Sequence, residues 1–316
     1  MGRRHARRVV VALGGNAITR PGDRGTVEED YRNLEQSLEG IVALLEAGYE
    51  LVLTHGNGPQ IGNQMIRVEL ARGEAPDLPL DLMGADIQGG LGYMIERTLR
   101  NKLRAHGITA RVCCMLSMVE VNWDDPAMEE PTKFVGPFYT RDQVPELEAR
   151  GWIVKEDRGR GWRRVVPSPE PLRVVEQQEL NALLDAGVVV ISGGGGGIPV
   201  ARTETGELVG VEGVIDKDLA SAVIALAIGA AELFILTGEE KVFLDYGTER
   251  QRPLDRLSVR EARSYLSAGE FPAGSMGPKI DAACRFIEGG GSRVLITDTF
   301  KLSEALAGRT GTVITA

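Results

Sequence analysis

The sequence predicts an α/β protein built on a mostly parallel sheet that helices cover on both faces. Short runs of Val, Ile and Leu alternate with longer amphipathic segments, and glycine-rich loops follow three of these runs. Continuous aliphatic runs are typical of strands that are buried on both faces, as in a parallel sheet. With 316 residues, the chain can bury a substantial core as one large domain or as two lobes.

The predicted elements begin with a strand over residues 8–15, a helix over 26–49 and a second strand over 50–54. The alternation continues with a helix over 87–107 and a strand over 110–116. After a break, the remaining segments of the pattern are 187–197, 216–230, 231–238, 292–298 and 311–315.

The break covers residues 117–175, which contain all three tryptophans and repeated prolines but little regular periodicity. This segment is too long for a plain connecting loop and too aromatic for a disordered one. We therefore expect a small subdomain of hairpins that protrudes from the sheet.

Composition excludes several classes of function. The net charge of −9 argues against a general role on nucleic acids or membrane surfaces, and no apolar stretch approaches the length of a membrane span. The basic cluster at 3–8 runs directly into a strand, without the apolar segment of a secretory signal. Three cysteines suggest free thiols in a reducing cytoplasm, and three scattered histidines do not suggest a metal site.

Glycine-rich loops cover residues 13–17, 54–62 and 192–199. Each would lie at the carboxyl end of a parallel strand, where ligands bind in open α/β sheets. A single loop of this kind is more often a structural turn. Three at one sheet edge favour an anion-binding site, because bare backbone and helix N-termini present N–H groups to the ligand.

The familiar phosphate motifs are missing from the sequence. There is no P-loop, no protein-kinase signature and no G-x-S-x-G elbow, and the spacing in "GNGPQIG" differs from the dinucleotide fingerprint. The remaining chemistry is phosphoryl transfer by positioning and charge, which requires backbone amides and cations around the transferred group.

Lysines are scarce, at seven of the 36 basic residues, so each can be considered singly. Lys133, Lys217 and Lys279 lie in segments rich in turn residues or acids, where an ammonium group could follow a phosphoryl group. Asp216 and Asp218 flank Lys217. A helix cap for Asp216 and a favourable first-turn acid for Asp218 are structural alternatives to a catalytic role.

Seven segments together resemble the carbamate kinases of the amino acid kinase superfamily, in the same order and over almost the whole chain. They are "VVALGGNAI", "THGNGPQIGN", "PTKFVGPF", "GRGWRRVVPSPEP", "GGGGIPV", "VIDKDLAS" and "GSMGPKI". The resemblance implies a three-layer αβα sandwich with an open, mainly parallel sheet of about eight strands, in a cytoplasmic homodimer. It implies reversible phosphoryl transfer between ATP and carbamate, giving ADP and carbamoyl phosphate, with Mg²⁺. Arginine metabolism is the expected setting, and purine breakdown and carbamoyl phosphate supply for biosynthesis are the alternatives.

The resemblance also implies the division of the single domain and the roles of its residues. Residues 1–200 would form a carbamate-side lobe with a lid at about 117–175, and 201–316 a nucleotide-binding lobe. Lys133, Lys217, Asp218 and Lys279 match catalytic positions. The predicted substrate-binding residues are Gly14, Gly15, Asn16, Gly56, Asn57 and Gly58. The predicted nucleotide-binding residues are Asp216, Thr237, Tyr246, Met276 and Lys279.

The sequence departs from the family in the segment "LTGEEKVFLDYG", at 236–247, where two glutamates stand in place of the usual apolar residue and Asp. The segment "LMGADIQGG", at 82–90, also varies. A sister kinase with another carboxylate, phosphate or phosphonate acceptor is therefore the main alternative, because any small anion would use similar N–H groups. A nucleotide-binding regulator is disfavoured, since all three lysines are present.

Overall fold

A computed structural model describes residues 7–157, 159–272 and 274–316. Most of the basic cluster at 3–8 lies outside these residues, so the expectation about a targeting signal concerns a part of the chain that the structure does not describe. Within the described ranges, no helix is both long enough and apolar enough to cross a membrane.

The strands of the described chain are β1 (Arg7–Leu13), β2 (Tyr49–His55), β3 (Arg111–Cys114), β4 (Met118–Glu120), β5 (Lys133–Tyr139), β6 (Ile153–Glu156), β7 (Trp162–Val166), β8 (Arg173–Val174), β9 (Val188–Ile191), β10 (Ile198–Arg202), β11 (Leu208–Gly210), β12 (Glu232–Thr237), β13 (Val242–Leu244), β14 (Arg252–Leu254), β15 (Arg256–Ser258), β16 (Arg293–Asp298) and β17 (Thr312–Thr315).

The α-helices are α1 (Val27–Ser37), α2 (Glu39–Glu46), α3 (Gly58–Leu70), α4 (Leu80–Ala105), α5 (Pro126–Glu129), α6 (Val144–Ala149), α7 (Gln177–Asp185), α8 (Lys217–Ala227), α9 (Val259–Ser267), α10 (Met276–Glu288) and α11 (Leu302–Leu306). Short 3₁₀ turns cover Gly15–Ala17, Arg141–Gln143, Gly194–Gly196 and Thr299–Lys301.

Eight strands form the central sheet in the order β15-β17-β16-β12-β1-β2-β9-β3. Neighbouring strands run parallel except for the antiparallel pair β16 and β17. Residues of β1 point alternately into two cores, with Val9 and Val11 in one and Val10 and Ala12 in the other. The prediction of an open, mainly parallel sheet buried on both faces is confirmed.

Two helical layers cover the sheet. Side chains of α1 to α4 and α11 fill the first core, and those of α7 to α10 fill the second. The predicted helix over 26–49 is wrong as a single element, because α1 ends at Ser37 and α2 begins at Glu39. The intervening Leu38 has φ of −83° and ψ of −1°, which interrupts the helical turn.

The segment 117–175 contains the protruding subdomain. Strands β5, β7 and β6 form an antiparallel sheet of three strands, and a small core of Val144, Leu147 and Val154 lies beneath α6. The flanking strands β4 and β8 belong instead to a second sheet of four strands, in the order β11-β10-β4-β8. The unit that stands away from the main sheet therefore lies between these two strands.

The protruding subdomain rests on α3 through an unusually close approach. Gly136 of β5 has φ of +76°, and a Cβ there would lie 2.8 Å from Cε of Met65 on α3. Only glycine adopts this conformation at low cost, so the absence of a side chain permits the contact. Strand β5 therefore lies directly against the helix that follows the second glycine-rich loop.

Candidate active site

The first two glycine-rich loops meet at the carboxyl ends of β1 and β2. The backbone N–H of Gly56 donates to the carbonyl of Leu13 at 3.0 Å, which joins the two loops. A Cβ on Gly14 would lie 2.6 Å from the carbonyl oxygen of Leu236, so only glycine permits this packing against β12. The bare backbone thus lets three strand ends converge on one small region.

The third glycine-rich loop follows β9 and reaches the same region. A Cβ on Gly195 would lie 2.1 Å from Nδ2 of Asn57, the residue before α3. Gly195 also has φ of +67°, a conformation that other residues adopt only with strain. The prediction that the three loops share one sheet edge is therefore confirmed by their contacts.

A buried glutamine fixes the third loop. The Gln88 side chain on α4 accepts a hydrogen bond from the N–H of Ser117 at 2.9 Å. Its amide donates to the carbonyls of Ser117 at 3.2 Å and Gly194 at 3.1 Å. Buried side-chain amides usually have hydrogen-bond partners of this kind, because an unpaired buried polar group is costly. Gln88 lies in the segment that departs from the family wording, and the sequence analysis did not assign it a role.

Helix α8 begins at Lys217, directly at this edge. The Asp216 carboxylate accepts from the N–H groups of Asp218 at 2.9 Å and Leu219 at 3.4 Å, so it caps the helix. One turn later, the buried Ser221 hydroxyl donates to the Lys217 carbonyl and pairs with Thr54 of β2, each at 2.7 Å. These bonds hold the first turn of α8 against the glycine-rich loops.

Asp218 lies between two lysines. Its two carboxylate oxygens lie 2.8 Å from the ammonium groups of Lys217 and Lys279. All three side chains are largely buried, with exposed fractions of 5% for Asp218, 11% for Lys217 and 15% for Lys279. The structure thus brings three predicted catalytic residues together from α8 and α10.

The buried cluster has unusual protonation properties. Burial by itself would raise the pKa of Asp218, but the two ammonium groups outweigh it and hold the pKa at about 2. Burial lowers the pKa of Lys217, and Asp218 opposes that change. Among the described residues, the Lys217 ammonium has no acceptor besides the Asp218 carboxylate, so N–H bonds of this buried cation remain available to a ligand. A buried cation with free N–H bonds is suited to bind an anion.

Lys133 reaches the same region from the protruding subdomain. Its ammonium lies 3.2 Å from the Asp216 carboxylate, and its side chain is 41% exposed. Lys217, the residue after Asp216, lies beside the loop that follows β2, since its Cδ is 3.9 Å from the Cβ position of Gly56. Lys133 therefore faces the same side of the sheet as Gly56.

His55 is a buried residue beside this cluster. Its ring Nδ1 lies 3.1 Å from the Gly56 carbonyl, and burial lowers its pKa to about 4. The imidazole is therefore neutral at physiological pH and donates locally to the loop backbone. This geometry gives His55 a local structural role beside the loop.

A cleft of about 260 Å³ opens beside Lys279, on the side of β12. Four of the predicted nucleotide-binding residues line it, namely Thr237, Tyr246, Met276 and Lys279. Asn16, predicted for substrate, also lines it, whereas Asp216 does not and pairs with Lys133 instead. The nucleotide-binding role of Asp216 stays a prediction.

Aromatic residues form much of the cleft, and two of them, Phe243 and Phe271, were not predicted from the sequence. Phe243 and Tyr246 face each other with ring centroids 6.0 Å apart, and Phe271 and Pro272 also line the cleft. They come from the β13–β14 hairpin and the segment before α10. The run "FP" before "GSMGPK" was the available signal, but its place beside β12 is a tertiary feature.

The two glutamates at which the sequence departs from the family, Glu239 and Glu240, have different surroundings in the structure. Glu239 lines the cleft and accepts a hydrogen bond from the Tyr246 hydroxyl at 2.6 Å. Glu240 points elsewhere and pairs with Lys301 at 2.7 Å. Only Glu239 can therefore affect the contents of the cleft.

A metal held by the protein alone does not fit this site. Within the described ranges, no group of three His, Cys, Asp or Glu residues is placed to hold an ion. Asp216 is engaged by the α8 N–H groups and Lys133, and Asp218 by its two lysines. A divalent ion would therefore have to arrive on the phosphates of a nucleotide, as Mg²⁺ commonly does.

The edge of the sheet thus combines loop amides, two buried ammonium groups and an aromatic cleft, an arrangement suited to anionic phosphate transfer from a nucleotide. The model of the amino acid kinase family matches residues 7–298. The chain therefore belongs to the amino acid kinase family.

Relatives narrow this assignment. The chain is 46% identical to the carbamate kinase of Pyrococcus horikoshii, over 98% of this chain and 99% of the relative. It is 43% identical to the carbamate kinase of Halobacterium salinarum, over 96% of this chain and 97% of the relative. The structure of carbamate kinase from Giardia lamblia bound to AMP-PNP matches with a TM-score of 0.93, at 38% identity over 98% of this chain and 99% of that chain. Within the family, the chain belongs with the carbamate kinases.

Proposed function

We propose that this protein is an ATP:carbamate phosphotransferase, which interconverts ATP and carbamate with ADP and carbamoyl phosphate. The observation that carries this proposal is the buried Lys217 ammonium, paired with Asp218 but free to donate hydrogen bonds beside the glycine-rich loops. Carbamate kinases of similar length match the chain from end to end. This similarity favours carbamate, and not the acceptor of a sister kinase, as the substrate of this protein.

In the proposed reaction, a carboxylate oxygen of carbamate attacks the γ-phosphorus of ATP. The bond from this phosphorus to the bridging oxygen of ADP breaks, and the bridging oxygen keeps the electron pair. Negative charge spreads over the oxygens of the transferred group, and Lys217 and Lys279 stabilise it. The reverse reaction uses the same groups, with a β-phosphate oxygen of ADP as nucleophile.

Backbone groups would hold the acceptor. Gly14, Gly15 and Asn16 follow β1, and Gly56 to Gly58 lead into α3, whose first N–H groups have no partner within the helix. These groups favour a small anion at the helix N-terminus. They do not distinguish one small anion from another, so acceptor choice rests mainly on the relatives.

Asp218 would keep both lysines in place and charged. Its pKa of about 2 means that it remains a carboxylate at every physiological pH. A negative charge between two buried ammonium groups opposes their mutual repulsion and the effect of burial. Asp218 therefore acts as a positioning residue in the proposed mechanism.

The central sheet suggests how the two substrates are divided. Strands β1, β2, β9 and β3 occupy one half, and β12, β16, β17 and β15 the other. We assign the carbamate side to residues 1–200, with the lid at about 117–175, and the nucleotide side to 201–316. Lys133 would complete the site when the lid closes over bound anions and excludes water.

Mg²⁺ would enter as part of the nucleotide substrate. When bound to the nucleotide, the ion would neutralise part of the phosphate charge. The residues at the site would then bind the nucleotide complex.

A cytoplasmic homodimer that serves arginine metabolism completes the proposal, on the basis of the family resemblance. Strand β3 is an edge of the central sheet, and the neighbouring α4 exposes Tyr93 at 58% and Leu82 at 51%. An exposed edge and apolar side chains of this kind are suited to pairing with a second copy. Light scattering coupled to size-exclusion chromatography would give the mass in solution, and a monomer at micromolar concentration would contradict this part.

The activity can be tested with purified protein in both directions. ADP release would be measured with carbamate, acetate, N-acetylglutamate and a phosphonate, and ATP formation with carbamoyl phosphate and ADP. We expect turnover with carbamate alone among the acceptors. Lys301→Ala, at a surface lysine paired with Glu240, is a matched control for Lys217→Ala. Turnover with another acceptor and none with carbamate would refute the proposal.

A further inference from the structure

We propose that Glu239 recognises the ribose hydroxyls of the nucleotide and makes the enzyme discriminate against deoxynucleotides. This inference rests on the proposed function, since it assigns the cleft to a nucleotide. It concerns one of the two glutamates at which the sequence departs from the family resemblance.

The cleft offers a nucleotide two chemical environments, one aromatic and one positively charged. Phe243, Tyr246, Phe271 and Met276 supply apolar and aromatic surface suited to a flat base. Lys279 supplies positive charge at the end that adjoins Asp218. In a nucleotide, the sugar connects the base to the phosphates. Glu239 lines the same cleft as the aromatic residues and Lys279, and it is bonded to Tyr246, so we assign it to the sugar.

Glu239 adds a carboxylate to the lining of the cleft. A carboxylate repels phosphate oxygens and accepts hydrogen bonds from hydroxyl groups. The Tyr246 hydroxyl donates a hydrogen bond of 2.6 Å to Oε1 of Glu239, which holds the Glu239 side chain beside the Tyr246 ring. Among the described residues, none donates a hydrogen bond to Oε2 of Glu239, so this oxygen is available to a ligand. Two vicinal hydroxyl groups are the donors that a ribonucleotide offers to such a carboxylate.

The experiment compares ADP with 2′-deoxy-ADP and 3′-deoxy-ADP, as acceptors from carbamoyl phosphate and as ligands in isothermal titration calorimetry. Loss of one hydrogen bond to a charged group corresponds to about a tenfold or greater loss of affinity. We therefore expect at least one deoxynucleotide to bind about tenfold more weakly than ADP to the wild type. Glu239→Leu should reduce this ratio to about one.

Two variants separate direct recognition from indirect effects. Glu240→Gln changes the neighbouring carboxylate, which faces Lys301 outside the cleft, and should keep the discrimination. Tyr246→Phe removes the hydroxyl donor but leaves the Glu239 carboxylate, so the discrimination should also persist. If Tyr246→Phe abolishes it as Glu239→Leu does, the glutamate only positions the tyrosine and the proposal is wrong.

The outcomes remain distinct from those of the proposed function. Equal binding of ADP and both deoxynucleotides to the wild type, or unchanged discrimination in Glu239→Leu, would overturn the role of Glu239. Absence of carbamate turnover would overturn the proposed reaction, while the calorimetric comparison of the nucleotides would still test Glu239.

Discussion

Lys217 and Lys133 both pair with a carboxylate at the same sheet edge, but their surroundings differ. Lys217 is 11% exposed and begins α8, where the Ser221 and Thr54 hydroxyls hold the first turn of the helix. Lys133 is 41% exposed and reaches the edge from the protruding subdomain through one contact, with Asp216. One cation is fixed before any ligand binds, and the other can be withdrawn. In the proposed mechanism, this difference assigns Lys217 to stabilisation of the transferred group and Lys133 to closure over it.

The largest effect should follow Asp218→Asn, which removes the charge between two buried lysines. We expect kcat to fall about 10³-fold with the fold retained, because the ammonium groups lose both their orientation and the charge that opposes their repulsion. Steady-state kinetics and circular dichroism would measure the two properties. Asp281→Asn is the matched control, since this carboxylate also pairs with two cations, Arg263 and Arg285, but does not line the cleft. Normal kcat with a lowered Tm would make Asp218 a structural acid only.

Lys217→Ala should reduce kcat by about 10²–10³, with a much smaller change in the KM for nucleotide. Lys217→Arg should restore little activity, because the planar guanidinium cannot occupy the position of a compact ammonium. Both variants would be compared by initial rates with ADP and carbamoyl phosphate. Turnover of Lys217→Arg close to that of the wild type would contradict the point-charge interpretation.

Lys133→Ala should have a smaller effect, of about tenfold on carbamoyl phosphate turnover, because the half-exposed pair with Asp216 is weak before closure. Calorimetry should give an unchanged Kd for ADP. Arg141→Ala, at an exposed cation of the same subdomain, should leave both values unchanged. An alanine variant of Lys133 with unaltered kinetics would remove this lysine from the mechanism.

The smallest effect concerns stability at low pH. The folded pKa of Asp218, about 2, is below the ordinary value near 4. Its stabilisation is therefore fully present above pH about 4 and is lost as the pH falls through about 2. Urea unfolding of the wild type and Asp218→Asn should give a difference in free energy of unfolding that narrows over this range. A constant difference would mean that Asp218 keeps the same pKa in both states.

The main sheet was predictable because its strands are continuous aliphatic runs, such as Val9–Val11 in β1 and Val188–Ile191 in β9. The break at Leu38 was not, because a buried leucine continues the helical periodicity of 26–49. Helix α3 was also missed, since "GNGPQIG" contains turn residues throughout. In the structure, Gly58, Pro59 and Gly62 of this motif belong to the first turns of α3.

The candidate site was predictable where short motifs carried it. Lys217, Asp218 and Lys279 were identified in "VIDKDLAS" and "GSMGPKI", and the structure places them within ion-pair distance. Phe243 and Gln88 were missed for a different reason. Their neighbours at the site come from distant parts of the chain, so only the folded sheet brings them there.

The contact between Gly136 and α3 also restricts how the protruding subdomain can move. A flap that rotates freely would need empty space beneath β5, but its backbone is pressed against Met65 and approaches Gly62 to within 3.9 Å of that residue's Cβ position. Displacement of Lys133 toward a ligand therefore has to occur as sliding along α3, in the manner of shear between packed layers. Such sliding would act directly on α3, the helix whose first turn we propose to hold the acceptor.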